Sequence, residues 1–141
     1  MIYLGSDHAG YEYKEEVQKY LLAQGYETKD LGAYNNQSSH YPQFAKKVTR
    51  AVQADSGNFG ILFCRSGQGM AIAANREKKI RASVAWNEKV ACEARNDNDS
   101  NVLSVPTGYV SIEQTKKIIV AFLSTNASKE PRHLKRITML N

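Results

Sequence analysis

At 141 residues the chain is about one domain long, enough for a single core and too short for a cofactor domain beside a substrate domain. Hydrophobic residues at 42% and charged residues at 23% are ordinary for a globular protein and exclude a disordered chain; no apolar run approaches the roughly twenty residues of a membrane span. The net charge of +5 comes from scattered Lys and Arg, densest over 76–81 and 132–136, without the interleaved aromatics of a nucleic-acid platform. The expected partner is therefore a small anion, with neither nucleic acid nor membrane.

The opening Met1-Ile2-Tyr3-Leu4-Gly5 lacks the basic stretch and long apolar run of a signal peptide, which predicts a cytoplasmic chain with Cys64 and Cys92 as free thiols. Residues 2–5 read as a buried strand. Tyr13, Val17, Tyr20 and Leu21 then recur at helical spacing until Gly25. A second strand is expected near 26–31, a polar loop after it, and a helix from Pro42 with Phe44, Ala45, Val48 and Val52 on one face. Residues 60–64 form a third apolar strand, 70–75 a short helix, 81–86 a fourth strand, and 87–95 a helix capped by Asn87. A fifth strand is expected at 101–105, a helix at 111–123 capped by Ser111, and a basic amphipathic segment at 131–140. Strands alternating with helices predict one α/β domain over 1–141, with an open, parallel, five-stranded sheet flanked by helices. Ligands of such sheets sit outside the carboxyl ends of the strands.

Two segments at those ends carry chemistry. Ser6-Asp7-His8-Ala9-Gly10 places a carboxylate and an imidazole after the first strand, although Asp7 in isolation reads equally well as a helix cap and His8 as a solvated neighbour. Cys64-Arg65-Ser66-Gly67-Gln68-Gly69-Met70 follows the third strand and leads into a helix. Its glycines admit a ligand close to the backbone, and its N–H groups suit an anion, including an enediolate oxygen. The Gly-x-Gly-x-x-Gly and Walker spacings are absent, so a nucleotide loop is not expected. A helix start and the neighbouring Arg65 both favour a thiolate at Cys64, whereas Cys92 within a helical pattern reads as structural. Three dispersed histidines and two cysteines provide no short metal-ligand pair.

Taken jointly, Gly5-Ser6-Asp7-His8-Ala9-Gly10, His40-Tyr41-Pro42, residues 60–64 with Ser66-Gly67-Gln68-Gly69, Ile72-Ala73-Ala74-Asn75, and Arg132-His133 with Arg136 resemble the type B ribose-5-phosphate isomerases and the related galactose-6-phosphate isomerase subunits. The resemblance implies a Rossmann-like sheet, no metal or organic cofactor, and a homodimer or dimer of dimers with a site shared between subunits. The basic helix at about 129–141 would lie at that interface. By position, Cys64 is the base moving a proton between C2 and C1, and Ser66, Gly67, Gln68 and Gly69 form the enediolate anion hole. Asp7, His8 and Tyr41 contact the sugar, while Arg132 and Arg136 grip the phosphate, a task suited to bidentate guanidinium groups.

Three departures stand out. The ring-opening histidine of the family is replaced by Asp97 in Arg95-Asn96-Asp97-Asn98-Asp99; a carboxylate accepts a hydroxyl proton but is a poor donor at neutral pH, while Asn98 matches and is expected to bind substrate. The usual glycine after the cysteine is Arg65. The family's Gly-x-Arg after the fifth strand is Pro106-Thr107-Gly108, which makes Arg65 a replacement cation for the missing arginine. These departures leave two other readings open: an isomerase of a hexose 6-phosphate or tetrose phosphate, and a phosphosugar-binding protein without turnover.

Overall fold

In the computed structural model, which describes residues 1–140, five strands form one all-parallel sheet: β1 (Ile2–Ser6), β2 (Thr28–Asp30), β3 (Phe59–Cys64), β4 (Ala82–Val84) and β5 (Val102–Pro106), in the order β2-β1-β3-β5-β4. The connecting helices are α1 (Tyr11–Ala23), α2 (Tyr41–Gln53), α3 (Gln68–Ala74), α4 (Glu88–Asn98) and α5 (Ile112–Ser124), with α6 (Pro131–Leu140) following. The expected Rossmann-like sheet is thus present.

Side-chain alternation along the strands divides the core into two layers. On β3, Ile61 and Phe63 join Val17 and Leu21 of α1, Ala91 of α4, and Ile118, Ile119 and Phe122 of α5. The intervening Leu62 and Cys64 join Ala45, Val48 and Val52 of α2 and Met70 and Ala74 of α3. A strand carrying an apolar residue at every position is buried on both faces, as this parallel sheet requires. Cys64 consequently points to the α2–α3 side, and β1 and β3, whose connections leave in opposite directions, place the ligand crevice between their carboxyl ends.

Both expected caps form: Asn87 Oδ1 accepts from the Val90 N–H at 2.8 Å, and Ser111 Oγ from the Gln114 N–H at 3.0 Å. Helix α4, expected to end near residue 95, continues to Asn98. Arg95 is buried, its Nη1 donates to Asp99 Oδ1 (2.8 Å) and the Ser100 carbonyl (2.6 Å), and its guanidinium lies over the rings of Phe59 and Phe122. That anchor extends the helix by almost a turn and places Asp97 and Asn98 in its last turn. The final residue of the expected C-terminal helix, Asn141, lies outside the described residues. No helix of the described residues is long and apolar enough to cross a membrane.

Candidate active site

The strand–turn–helix around Cys64 is built by its glycines. Gly67 precedes α3 with φ of 75°, a left-handed conformation costly for other residues, and its carbonyl accepts from Ser104 Oγ of β5 at 2.6 Å. The turn therefore doubles back over the end of β3, and the backbone N–H groups of Met70, Gly67 and Ser66 come near enough to the Cys64 sulfur to favour its thiolate. Gln68 N–H donates to Ser66 Oγ at 3.3 Å. Gly69 admits the ring of Tyr41, whose Cζ lies 2.7 Å from where a Cβ would stand, so Tyr41 at the start of α2 covers the turn.

Cys64 is 5% exposed. Burial pushes its thiol above its ordinary value; the N–H groups of Met70 and Gly67 pull it down, Asp7 pushes it up, and Ser66 adds a smaller downward pull. The thiolate expected from the sequence is thereby corrected: desolvation outweighs the local donors. Arg65 does not supply the expected compensation. Its guanidinium lies over the Tyr109 ring, 5.9 Å from the centroid, and the groups that shift the thiol are Met70, Gly67, Asp7 and Ser66.

Asp7 is buried beside the cysteine, its backbone N–H donating to the Phe63 carbonyl at 3.3 Å, while Oδ1 accepts from the Gly10 N–H at 3.0 Å. It thus closes the turn into α1, as a cap would, and also lies close enough to repel a thiolate. His8 is exposed and tethers the loop after β2: its N–H donates to Ser39 Oγ (3.1 Å), and its Nδ1 accepts from the Ser39 N–H (3.2 Å). An accepting Nδ1 assigns the ring proton of a neutral imidazole to Nε2.

On the other side of the turn, Ser66, Gln68, Val84, Trp86, Pro106 and Tyr109 line a pocket of about 470 Å³. Trp86 (56% exposed) and Tyr109 (70% exposed) provide its aromatic walls. Arg65 crosses Gly108: the Gly108 N–H donates to the Arg65 carbonyl at 2.8 Å, and a Cβ on residue 108 would stand 2.8 Å from Arg65 Cγ. The side chain at 65 therefore occupies the space that a side chain at 108 would need. A second pocket of the same volume, bordered by Lys79, Arg81, Arg95 and Asp99, contains none of the expected site residues.

The remaining expected residues are elsewhere. Helix α4 starts beyond the carboxyl end of β4 and runs back, so its last turn reaches the amino ends of the strands. There Arg81, which precedes β4, donates to the carbonyls of Asn98 (3.2 Å) and Asp99 (2.9 Å). Arg132 and the exposed Arg136 belong to α6, which packs on α4; Arg132 Nε donates to Glu130 Oε2 at 2.8 Å. Asp97, Asn98, Arg132 and Arg136 are thus separated from Cys64 by the length of a strand, roughly 15 Å for five residues.

Two buried groups escaped the sequence reading. Lys14 is fully buried in α1, ion-paired with Asp30 and with Glu15 at 3.2 Å, with its ammonium over the rings of Tyr11 and Tyr34. His133 is 8% exposed, its Nε2 3.9 Å from Asp97 Oδ1 and its Nδ1 without a partner. A lysine at helical spacing with Val17 and Leu21, on the face they bury, was the available signal for the first; nothing short of the α4–α6 packing reveals the second. Cys64 and Cys92 are free, as expected.

Fold and site together define a Rossmann-like α/β protein whose ligand edge carries a thiol on a glycine turn instead of a nucleotide loop. The Ribose/Galactose Isomerase family matches residues 2–140, and the chain belongs to that family. Ribose-5-phosphate isomerase B of Mycobacterium tuberculosis is 35% identical over 140 residues, covering 99% of this chain and 86% of the relative. The crystal structure of a ribose 5-phosphate isomerase from Thermotoga maritima superposes with a TM-score of 0.95 at 41% identity, covering 99% of this chain and 95% of that one. The Mycoplasma genitalium ribose-5-phosphate isomerase B, solved with bound ribulose 5-phosphate, gives 0.93 at 33% identity, covering 99% and 92%.

Proposed function

We infer that this chain is an aldose–ketose isomerase that interconverts ribose 5-phosphate and ribulose 5-phosphate through a cis-enediolate. The observation carrying this reading is the Cys64 sulfur, buried at the strand end beside the glycine turn whose N–H groups at Ser66, Gly67 and Met70 favour its thiolate. A thiolate there takes the C2 proton of the open-chain aldose and the electrons move to the C1 oxygen; the O2 proton passes to O1 as C2 becomes the carbonyl, and the proton held by the thiol returns at C1. N–H groups of the 66–69 turn, with the Ser66 hydroxyl, stabilise the enediolate oxygen. His8, Asp7, Gln68 and Tyr41 surround the sugar. No metal or organic cofactor enters the scheme.

Ring opening falls to Asp97, with Asn98 binding beside it, and phosphate binding to Arg132 and Arg136. Because these lie a strand length from Cys64, a complete site takes them from a second copy of the chain. A two-fold homodimer meets that need, as does a dimer of dimers, and α6, which exposes Leu134, Met139 and Leu140, supports an interface there. The cytoplasm is the compartment this reading assigns. Solvent-deuterium exchange next to the carbonyl, measured over ribose, hexose and tetrose phosphates without added metal, tests the function. Exchange fastest with ribose 5-phosphate is expected; faster exchange with another sugar reassigns the substrate, and tight binding without exchange makes the chain a non-catalytic binder.

Arg65 completes the phosphate clamp in place of an arginine at position 108, a reading supported by their competition for one space. Arg65→Gly is expected to raise KM for ribose 5-phosphate by about tenfold, the effect of one charge-assisted contact. Adding Gly108→Arg to that variant should recover most of the loss, whereas Gly108→Arg alone, with Arg65 still in the way, should not improve on the parent. An Arg65→Gly enzyme with unchanged KM refutes this role.

A further inference from the structure

We propose that His133 is the positioning partner of Asp97, so that ring opening is carried out by a carboxylate with a buried imidazole behind it. This rests on the reading of Asp97 as the ring-opening group. Asp97 is on the last turn of α4, and His133 is on the first turn of α6, directly against it, with Nε2 3.9 Å from Asp97 Oδ1. Asn96 Nδ2 donates to the same Oδ1 at 2.7 Å. Both neighbours therefore fall on one carboxylate oxygen, and Oδ2 is left for a ligand.

The burial of the imidazole fixes the direction of its action. His133 is 8% exposed, and Nδ1 is buried without a partner. A proton on Nδ1 would be an unpaired buried donor, while a proton on Nε2 faces the carboxylate. The tautomer with Nε2–H is thus the one the surroundings favour, and a slight closure of the 3.9 Å gap makes it a hydrogen bond to Oδ1. Of the other charged groups near this end of α6, Glu130 and Arg132 pair with each other at 2.8 Å on the exposed side.

Opening a furanose moves one proton. The C1 hydroxyl gives its proton to Asp97 Oδ2, C1 becomes a carbonyl as its bond to the ring oxygen breaks, that electron pair goes to the ring oxygen, and the proton follows it from Asp97. Nothing is consumed. The carboxyl must receive and release the proton without turning away, which is what an imidazole locked to Oδ1 secures.

The two directions of the reaction separate this role from a structural one. Ribulose 5-phosphate has its O5 phosphorylated and cannot close a five-membered ring, so deuterium exchange at its C1 needs Cys64 but no ring opening. His133→Leu is expected to slow turnover of ribose 5-phosphate about tenfold, the low end of a proton-transferring contribution, and to leave exchange into ribulose 5-phosphate and KM unchanged. His133→Gln, which places an amide N–H near the Nε2 position, should restore most of the turnover and also carries the test should the leucine variant fail to fold. Asp97→Asn combined with His133→Leu should be no slower than Asp97→Asn alone. Equal loss in both directions, no loss in either, a glutamine variant no better than leucine, or an additive double variant overturns the role of His133. Full turnover of ribose 5-phosphate by Asp97→Asn instead overturns the reading of Asp97, and with it the pair.

Discussion

Cys64→Ala is expected to abolish solvent-deuterium exchange into both ribose 5-phosphate and ribulose 5-phosphate, by about 10³-fold or more, with substrate binding retained. The methyl group leaves the turn of residues 66–70 its shape but removes the sulfur that accepts the proton. Binding is measured separately by calorimetry, and a variant that still exchanged at the parental rate would remove the thiol from the mechanism. The parent's pH profile follows from the direction of the thiol's shift. Burial raises Cys64 above its ordinary value, so the resting group is protonated at neutral pH and the thiolate fraction climbs as pH rises. Below the thiol's midpoint, log kcat/KM should therefore increase with a slope of about one per pH unit. A profile flat from pH 6 to 8 would mean that the donors of the turn overcome desolvation after all.

Mixing two inactive variants tests the division of the site between copies. In a two-fold dimer, Cys64→Ala disables one half of each site and the double variant Arg132→Ala, Arg136→Ala the other. When equal amounts are unfolded and refolded together, half of the dimers carry one chain of each kind, and each such dimer contains one site with both defects and one with neither. About one quarter of the parental activity should reappear on random pairing. No recovery, with mixed dimers shown by mass spectrometry, would place Cys64 and the two arginines in the same chain's site. The strand length between them makes recovery the expected result.

Much of the architecture was legible because its determinants are local. The apolar run of β3, the caps Asn87 and Ser111, and the stop at Gly25 each act over a few residues. The glycine turn after Cys64 was legible for the same reason, since spacing alone shows where the backbone doubles back. What depended on packing was hidden. Cys64 was expected to ionise readily because a helix start and Arg65 adjoin it in sequence, yet burial is set by α2 and α3 closing over β3, and Arg65 turns onto Tyr109. The extension of α4 through Asp97 depends on Arg95 finding Asp99, Phe59 and Phe122. The proximity of His133 to Asp97 arises where two helices meet, 36 positions apart in the chain by subtraction of their numbers.

An open sheet leaves two edges, here β2 and β4. On β4, the side-chain amide of Asn75 takes both outward main-chain groups of Ala82: Oδ1 accepts its N–H at 2.8 Å and Nδ2 donates to its carbonyl at 2.9 Å. An asparagine imitates the next strand and ends the ladder there. A second copy finds no free template at that residue, so the cap opposes the joining of two sheets through β4 into a continuous ten-stranded one.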